Sequence, residues 1–465
     1  MRTVAIVGGG VGGLAAAVRL AASEVRVRLF EASPRLGGLA SALEVHGESF
    51  DGGPYILLDR PGLEWVYRQL GYDLAQTLTM RRIERIYEVV DPSSPSRVRI
   101  FDSAEQTAQG FEDSGILNAS TYIRFVERMH AAYSQLAPLQ HSGRPSAWTL
   151  LAHGAWRQIP FLLKSLHRVL QESEITGPVR DALGIWTHIA GQDLRHAPSP
   201  LALIPAIVHS QGCYLPDEGI REVPRQLAKF ARERNVEIHL GARVKTIEAR
   251  AGRVTGVKLE SGETIGADAV ISNISAIGTY ADLVDIGVDR LASLKALPLQ
   301  SPGFCVYLRC RGTPPDFYLR FFLQTEACTV FICPEAIFGR RGASSWQARL
   351  IRPLRHGSPL ELSPERQRTE IESLLKSDWW RQGILDFEVM TVRTTLDWAR
   401  DFHLYERSMN PVMTAQFMRR GRFPHRSAWL KGLYHAGSST HPGQWVSFAA
   451  ISGILAANEV LKDFE

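Results

Sequence analysis

The first thirty residues show two spacings of apolar positions in quick succession. Residues 3–7 form a short, largely apolar run, which is typical of a parallel strand buried on both faces. Residues 15–21 are small and apolar at the spacing of a helix, and residues 25–30 form a second strand. The order strand, helix, strand predicts a parallel βαβ unit at the start of the chain.

A glycine pattern lies between the first strand and the helix. Gly8, Gly10 and Gly13 fit G-x-G-x-x-G, in which the glycines allow a tight turn, close approach to a pyrophosphate and close helix packing. The helix N-terminus faces the phosphates with free N–H groups and the positive end of its dipole. Glu31, at the end of the second strand, can accept hydrogen bonds from ribose hydroxyls and would repel a 2′-phosphate. This context predicts a site for FAD or NAD in preference to NADP.

The rest of the chain alternates between helical and strand-like stretches. Residues 60–205 show mostly helical spacing with few strand signals, and residues 222–234 form an amphipathic helix. Short strands separated by turns are predicted between residues 236 and 271, and strands mixed with a helix between 290 and 420. Glycine-rich turns return after residue 432 and lead into a small-residue helix that closes the chain.

Residues 147–170 combine tryptophan and leucine with basic side chains. One interpretation is an amphipathic helix that lies in a membrane interface. The other is a core-facing helix with a basic outer side. Pro160 kinks or ends this helix in either case. From this stretch alone, the core-facing interpretation is favoured.

Composition narrows the function classes. The 465 residues are enough for two or three domains. A net charge of +5 without a long Lys/Arg run does not indicate a nucleic-acid partner. No run of about 18 apolar residues predicts a membrane-spanning helix, and the early first strand leaves no room for a signal peptide, so we expect a cytoplasmic location. The 14 histidines are scattered, so no metal site is expected.

Four of the five cysteines form two pairs with the same spacing, Cys305 with Cys310 and Cys328 with Cys333. The spacing matches some flavin-linked redox pairs and allows a dithiol relay. However, both pairs lie in strand-like runs, and an odd offset places the two side chains on opposite faces of a strand. Buried strand cysteines are therefore the favoured interpretation.

Five segments resemble the FAD-dependent phytoene desaturase family, meaning carotenoid desaturases and isomerases within the flavin amine oxidase group. They are the first glycine pattern, residues 31–38 with a second Gly-Gly, Phe50-Asp51-x-Gly53-Pro54, the block from 190 to 273, and residues 432–453. The resemblance implies an α/β fold in which a Rossmann-like, three-layer FAD-binding domain with a mostly parallel sheet adjoins an α+β, partly helical substrate domain. Residues 1–78, 210–290 and 425–465 would form the first domain, and residues 79–209 and 291–424 the second.

The resemblance also implies how residues of this chain bind FAD. The pyrophosphate meets the first glycine pattern, the adenosine ribose meets Glu31, and the adenine meets the backbone of Val244. Residues 437–438 meet the phosphate and ribityl chain. Backbone N–H groups at the start of the last helix meet the isoalloxazine ring, where the positive helix end stabilises negative charge on reduced flavin. The implied FAD-binding residues are Gly8, Gly10, Gly12, Gly13, Glu31, Ala32, Arg35, Gly38, Gly53, Pro54, Tyr55, Val244, Gly437, Ser438, Gly443, Trp445 and Val446.

Some positions depart from the family pattern. Tyr55 stands where the family often has threonine, and together with Trp445 and Phe448 it would crowd the flavin face. The catalytic base is unknown. Tyr55 and His441 are weak candidates because of their expected proximity to the flavin, and a structural hydrogen bond is the favoured role for each.

For activity, the resemblance implies a desaturase that moves a hydride from an allylic carbon of an isoprenoid or carotenoid chain to FAD, while a proton leaves the neighbouring carbon. The alternatives are a reduced-FAD polyene isomerase, an oxidase of an amine or other secondary metabolite, and an inactive flavin-binding scaffold. The sequence contains no second dinucleotide motif, so oxygen or a quinone is the expected electron acceptor. Such a substrate resides in membranes. With the resemblance taken into account, peripheral attachment to the inner membrane face through residues 147–170 is therefore as well supported as the core-facing interpretation.

Overall fold

A five-stranded parallel sheet forms the centre of the computed structural model, which describes residues 1–92, 97–189, 191–324, 327–339 and 345–465. Neighbouring strands all run in the same direction although they come from three separate parts of the chain. The α/β class and the first two predicted strands are thereby confirmed. In spatial order the strands are Leu433–His435, Ala269–Ser272, Arg2–Val7, Val25–Glu31 and Glu237–Leu240.

The first strand has a different neighbour on each face, which produces a three-layer arrangement. Val4 and Ile6 belong to a core shared with the helices that cover one face of the sheet. Ala5 and Val7 belong to a second core on the other face. A three-stranded antiparallel sheet covers that face, with strands Val244–Arg250, Arg253–Leu259 and Thr264–Gly266.

A second, seven-stranded sheet lies outside this unit. Its strands pair antiparallel, except for the parallel pair Leu319–Gln324 and Arg85–Val90. In spatial order the strands are Ile384–Arg393, Phe304–Gly312, Trp346–Arg352, Ala327–Ile332, Leu319–Gln324, Arg85–Val90 and Arg97–Phe101. Three two-stranded ladders are Ala42–Val45 with Glu48–Asp51, Met80–Arg82 with Tyr214–Pro216, and Leu299–Gln300 with Asn410–Pro411.

Helices connect and cover the sheets, and two of them matter for the site: the first and the last. The α-helices are Val11–Ala21, Arg60–Gln69, Leu74–Thr77, Ala104–Asp113, Ala119–Leu136, Ala147–Ala152, Ile159–Leu162, Leu166–Glu172, Gly177–Ile189, Ile204–Gln211, Glu222–Glu233, Ala276–Gly278, Val288–Lys295, Glu335–Phe338, Pro359–Leu362, Pro364–Lys376, Thr395–Phe402, Ala415–Arg420 and Val446–Phe464.

The prediction of a mostly helical stretch from 60 to 205 is wrong between residues 80 and 101, which form three strands. The run Ile86-Tyr-Glu-Val-Val is rich in β-branched and aromatic residues, and it is a buried strand of the second sheet. Its parallel partner, Leu319–Gln324, lies more than 200 residues away. The spacing of apolar residues within a short stretch contains no information about such a distant partner, and this explains the error.

The stretch 147–170, predicted as a helix that kinks or ends at Pro160, is divided at more points than this prediction contains. The chain forms Ala147–Ala152, a 3₁₀ turn at Ala155–Gln158, and two further short helices, with Gly154 in the left-handed region at φ 66°. The favoured core-facing interpretation fails for the first half, because Ala147–Ala152 buries none of its residues. It holds for the last of these helices, Leu166–Glu172, where three residues are buried.

All five cysteines are buried free thiols. Cys305 and Cys310 belong to different apolar clusters, so the predicted opposite faces of the strand are confirmed. Burial raises the pKa of Cys305 to about 11 and the pKa values of Cys328 and Cys333 to about 12, which leaves these thiols unreactive. In the described part of the chain, no helix is long and apolar enough to cross a membrane.

Candidate cofactor-binding site

The two glycine clusters of the sequence lie against each other at the carboxyl ends of the first two strands. The Gly37 N–H donates to the Gly9 carbonyl at 2.8 Å. A Cβ atom on Gly38 would lie 3.3 Å from the Cα of Gly10. Because no side chain projects from these positions, the two loops form a narrow groove whose backbone N–H groups can meet phosphate oxygens.

Two further contacts explain why glycine is required here. A Cβ atom on Gly13 would lie 2.1 Å from the carbonyl oxygen of Gly8, and one on Gly453 would lie 2.0 Å from the carbonyl oxygen of Gly12. Both distances are far shorter than a carbon and an oxygen tolerate. The first helix therefore packs directly on the strand that precedes it, and the last helix packs directly on the first.

The Glu31 carboxylate closes one end of the groove. Its Oε2 accepts from the Gly9 N–H at 2.7 Å, and its Oε1 accepts from the Ser33 N–H at 2.8 Å. The Glu31 carbonyl accepts from the Ala242 N–H at 2.9 Å, which places the strand Val244–Arg250 nearby. The positions implied for ribose and adenine thus lie at the same end of the groove. The following turn contains two more of the implied residues, Ala32 and Arg35.

The segment between the last strand and the last helix forms the other end. The Gly437 N–H donates to Ser452 Oγ at 3.0 Å, and Ser438 Oγ donates to Asn410 Oδ1 at 2.5 Å. The helix Val446–Phe464 has no side-chain cap at its N-terminus, so its first N–H groups are open to a ligand. The implied flavin-ring contacts lie at this helix start: Gly443, Trp445 and Val446.

Asn273 is a candidate that the sequence analysis missed. It follows the strand Ala269–Ser272, and its Nδ2 lies 3.4 Å from the Gly8 carbonyl. Its Oδ1 is buried and has no hydrogen-bond partner in the described chain. A Cβ atom on Gly12 or Gly437 would lie 2.5 or 2.7 Å from this oxygen. Its position at the carboxyl end of the strand beside the first is the signal that would have indicated it.

The turn that carries Gly53 and Pro54 is held by the second sheet. Arg349 Nη1 donates to the carbonyls of Asp51 at 2.8 Å and Gly52 at 2.7 Å, and its Nη2 donates to the Pro54 carbonyl at 3.2 Å. The Tyr307 hydroxyl donates to the Gly52 carbonyl at 2.8 Å. Arg349 was not singled out from the sequence; its only local signal is a charge within the apolar strand Trp346–Arg352.

The groove combines glycine-lined backbone, two helix N-termini and a carboxylate at one end. These residues fit a dinucleotide cofactor. The family model of flavin containing amine oxidoreductases matches residues 11–280, more than half of the chain. The chain belongs to this family. It is a flavin-dependent oxidoreductase.

Curated relatives match this flavin oxidoreductase from end to end. The 4,4'-diaponeurosporene oxygenase of Staphylococcus aureus (strain MSSA476) is 24% identical, with 98% of this chain and 97% of the relative covered. The zeta-carotene-forming phytoene desaturase of Myxococcus xanthus is 25% identical, with 99% and 94% covered. The resemblance stated from the sequence is thereby confirmed.

Solved structures share the fold. An oxidoreductase from Methanosarcina mazei superimposes with a TM-score of 0.67 at 15% identity, covering 98% of this chain and 100% of that chain. Wild-type putrescine oxidase bound to putrescine superimposes with a TM-score of 0.63 at 16% identity, covering 99% of both chains.

Tyr55 lies on the turn held by Arg349. The Tyr318 hydroxyl donates to the Tyr55 carbonyl. The Tyr55 hydroxyl has no partner among the described residues, and burial raises its pKa well above the usual range. Tyr55 therefore stays protonated at physiological pH and can donate a hydrogen bond but not accept a proton. The rings of Trp445 and Phe448 stack with centroids 4.6 Å apart and pack against the same apolar core as Tyr55.

His441, the other candidate base, is held by the backbone. Its Nε2 lies 2.8 Å from the Leu139 carbonyl oxygen, so this nitrogen carries the proton and donates it. Burial lowers the pKa of His441 to about 3, and the ring is neutral at physiological pH. Such a ring is a weak base. This geometry favours a structural hydrogen bond between the cofactor loop and residue 139.

Proposed function

We propose that this chain is an FAD-dependent oxidoreductase that removes a hydride and a proton from an apolar isoprenoid or carotenoid chain and forms a C=C bond. The end-to-end match with two enzymes whose names specify carotenoid substrates carries this proposal. The side chains of Tyr55, Trp445 and Phe448 are compatible with it, because they pack against one apolar core and give the site apolar surface.

Within this proposal, the groove holds FAD through residues of this chain. The glycine loop and the N-terminus of Val11–Ala21 hold the pyrophosphate, and Glu31 holds the ribose. Gly437 and Ser438 hold the ribityl side, and the start of Val446–Phe464 meets the ring. FAD supplies the hydride acceptor. Arg349 fixes the turn that presents Tyr55.

The proposal extends to how an apolar substrate reaches the site. Trp148, Leu151, Trp156, Ile159 and Leu163, here called the 148–163 patch, are 79%, 56%, 48%, 40% and 51% exposed. These large apolar side chains cluster in a single sixteen-residue stretch. A patch of this kind marks an interaction site.

The charges around the patch favour an anionic bilayer. Residues 128–171 contain no Asp or Glu but five Arg or Lys. Arg144 donates to the Arg420 carbonyl, and Arg419 donates to the Leu163 carbonyl at 3.1 Å, so the basic residues of Ala415–Arg420 lie beside the patch. Tryptophan and leucine with surrounding cations suit the interface of an anionic membrane. We infer peripheral contact with the inner membrane face, with oxygen or a quinone as electron acceptor.

The test is to mix the purified flavoprotein anaerobically with phytoene in vesicles and to follow flavin absorbance and the polyene spectrum. A desaturase bleaches its flavin and produces a more conjugated chain in equal amount. Bleaching by diamines but not by phytoene would favour an amine substrate instead. Product isomers that form only after prior reduction would favour the isomerase. A host that makes phytoene, with and without the protein, provides the matched control.

A further inference from the structure

Arg422 places a partly buried cation beside the segment 438–443 at the flavin end of the groove. Its Nη1 donates to the Ser438 carbonyl at 3.1 Å. Its Nη2 lies 3.1 Å from the position that a Cβ atom on Gly443 would occupy. The guanidinium therefore lies between the residue proposed for the ribityl side and the residue proposed for the isoalloxazine ring.

No carboxylate of the described residues balances this charge. Burial lowers the pKa of Arg422 to about 10, and burial is the only cause. Residues 408–458, which surround Arg422 in the sequence, contain no Asp or Glu. A partly buried guanidinium with one carbonyl partner leaves its other donors open towards the groove without a charge-balancing acceptor. Such a group at a ligand groove indicates an anionic ligand.

Arg349 shows that this arrangement is not a general property of arginines near the groove. Its guanidinium donates to several backbone carbonyls, and it serves to hold a turn. Arg422 makes one such contact, to Ser438. Most of its hydrogen-bonding capacity therefore remains for a ligand.

We propose that Arg422 is the counter-ion for the negative charge that the isoalloxazine ring carries when FAD is reduced. This role rests on the proposed placement of FAD but not on the proposed substrate. A cation that the protein has already desolvated and positioned stabilises developing charge more strongly than water does. Arg422 adds to the positive end of the helix Val446–Phe464, which points to the same ring in this placement.

The experiment uses the purified flavoprotein without substrate. Sulfite adds to oxidised flavin and leaves negative charge on the ring, so its dissociation constant reports a nearby cation. We expect Arg422→Met to weaken sulfite binding at least tenfold. If the variant also stabilises the reduced flavin tenfold less, relative to the oxidised flavin, the two-electron midpoint potential falls by about 30 mV. Arg422→Lys should restore most of both values. Arg420→Met, an exposed arginine in the same segment, should change neither.

Three outcomes would decide against this role of Arg422. Unchanged sulfite affinity and potential in Arg422→Met would overturn it. Weaker FAD binding with an unchanged potential would assign Arg422 to a phosphate of FAD instead. If Arg422→Met does not fold, Arg422→Gln, which keeps a donor for the Ser438 carbonyl, replaces it. A wild-type protein that binds no flavin would overturn both this inference and the proposed cofactor, whereas inactivity on phytoene would leave Arg422 unaffected.

Discussion

The cofactor groove and the region from residue 80 to 172 are determined by different physical requirements. The groove needs backbone to approach backbone, and glycine at fixed spacing is the direct way to allow it. The second region needs side chains to pack with partners from distant parts of the chain. Its strand Arg85–Val90 pairs with Leu319–Gln324. Local pattern therefore specifies the groove well and the second region poorly.

The groove meets the second sheet, to which the strand Arg85–Val90 also belongs, at the turn 51–55, and the largest effect is expected there. Arg349→Met removes the donor to the Asp51 and Pro54 carbonyls and leaves the Gly52 carbonyl with the Tyr307 hydroxyl alone, and each buried carbonyl left unpaired costs about 1–3 kcal/mol. We expect the free energy of unfolding to fall by at least about 2 kcal/mol, measured by urea denaturation, together with loss of flavin.

The matched control is Arg311→Met in the same sheet. Arg311 forms an exposed ion pair with Asp386 at 3.5 Å, so its loss should cost less than about 1 kcal/mol. Equal losses in the two variants would mean that the turn does not depend on Arg349, and that the groove and the second sheet are energetically independent.

A somewhat smaller effect is expected inside the groove. Gly13→Ala places a Cβ atom 2.1 Å from the Gly8 carbonyl oxygen, so the helix Val11–Ala21 must shift away from the strand. Overpacking of this kind costs about 1–3 kcal/mol, and we expect flavin occupancy, measured from absorbance, to fall at least tenfold. Gly110→Ala is the control, because no atom lies within 4 Å of its Cβ position and alanine favours its helix by about 0.5–1 kcal/mol. Normal flavin occupancy in Gly13→Ala would contradict the close-packed groove.

The sequence thus predicted the parts of the site whose chemistry is local. The glycine pattern, the helix behind it and Glu31 follow one another within thirty residues. Asn273 and Arg349 were missed because each acts on a segment more than 250 residues away, at the Gly8 and Asp51 carbonyls. The local signal of Asn273 is a polar residue after a buried strand, and that of Arg349 is a charge within a buried strand. Both signals are common at positions that take no part in a binding site.

The same reason explains the strands at 80–101 and the exposed patch. Residues 147–170 carry enough apolar side chains for a core helix, and whether they turn inward depends on the surfaces offered by the rest of the fold. Gly154 and Pro160 divide the stretch into short helices, and only its later part faces the core. Spacing alone does not distinguish a surface that faces the core from one that faces another partner.

Acid should weaken the groove through its buried histidines. The pKa of His441 is lowered to about 3 by burial, whereas an unfolded histidine titrates near 6.5. Below pH 6.5 the unfolded chain binds a proton that the folded chain does not, so the free energy of unfolding falls as the pH drops towards 3. The loss is about 1.4 kcal/mol per pH unit for this group. His435, with its pKa also lowered to about 3, adds to it.

His441→Gln tests this contribution because its amide can still donate to the Leu139 carbonyl but does not titrate. Between pH 6 and pH 4, urea denaturation should show that the variant loses less unfolding free energy than the wild type, by about 1.4 kcal/mol per pH unit. His130→Gln, at an exposed helix position, should follow the wild type. Identical slopes for all three proteins would show that His441 is not the titrating group.

Substitutions in the 148–163 patch change the surface of the second region, where the free energy of unfolding should depend little on the substituted side chains. Trp148→Ser combined with Trp156→Ser should change the free energy of unfolding by no more than about 1 kcal/mol, because the Trp148 side chain is 79% exposed and the Trp156 side chain is 48% exposed. Partitioning into anionic vesicles, measured by co-sedimentation, should weaken at least tenfold and should also weaken with added salt. Val288→Ser, which removes an 84% exposed side chain elsewhere, is the control.

Vesicle binding that survives the double substitution would place the membrane contact elsewhere on the protein. A wild-type protein that dimerises through the patch and does not bind vesicles would show that the patch contacts a second copy of the chain instead of a bilayer.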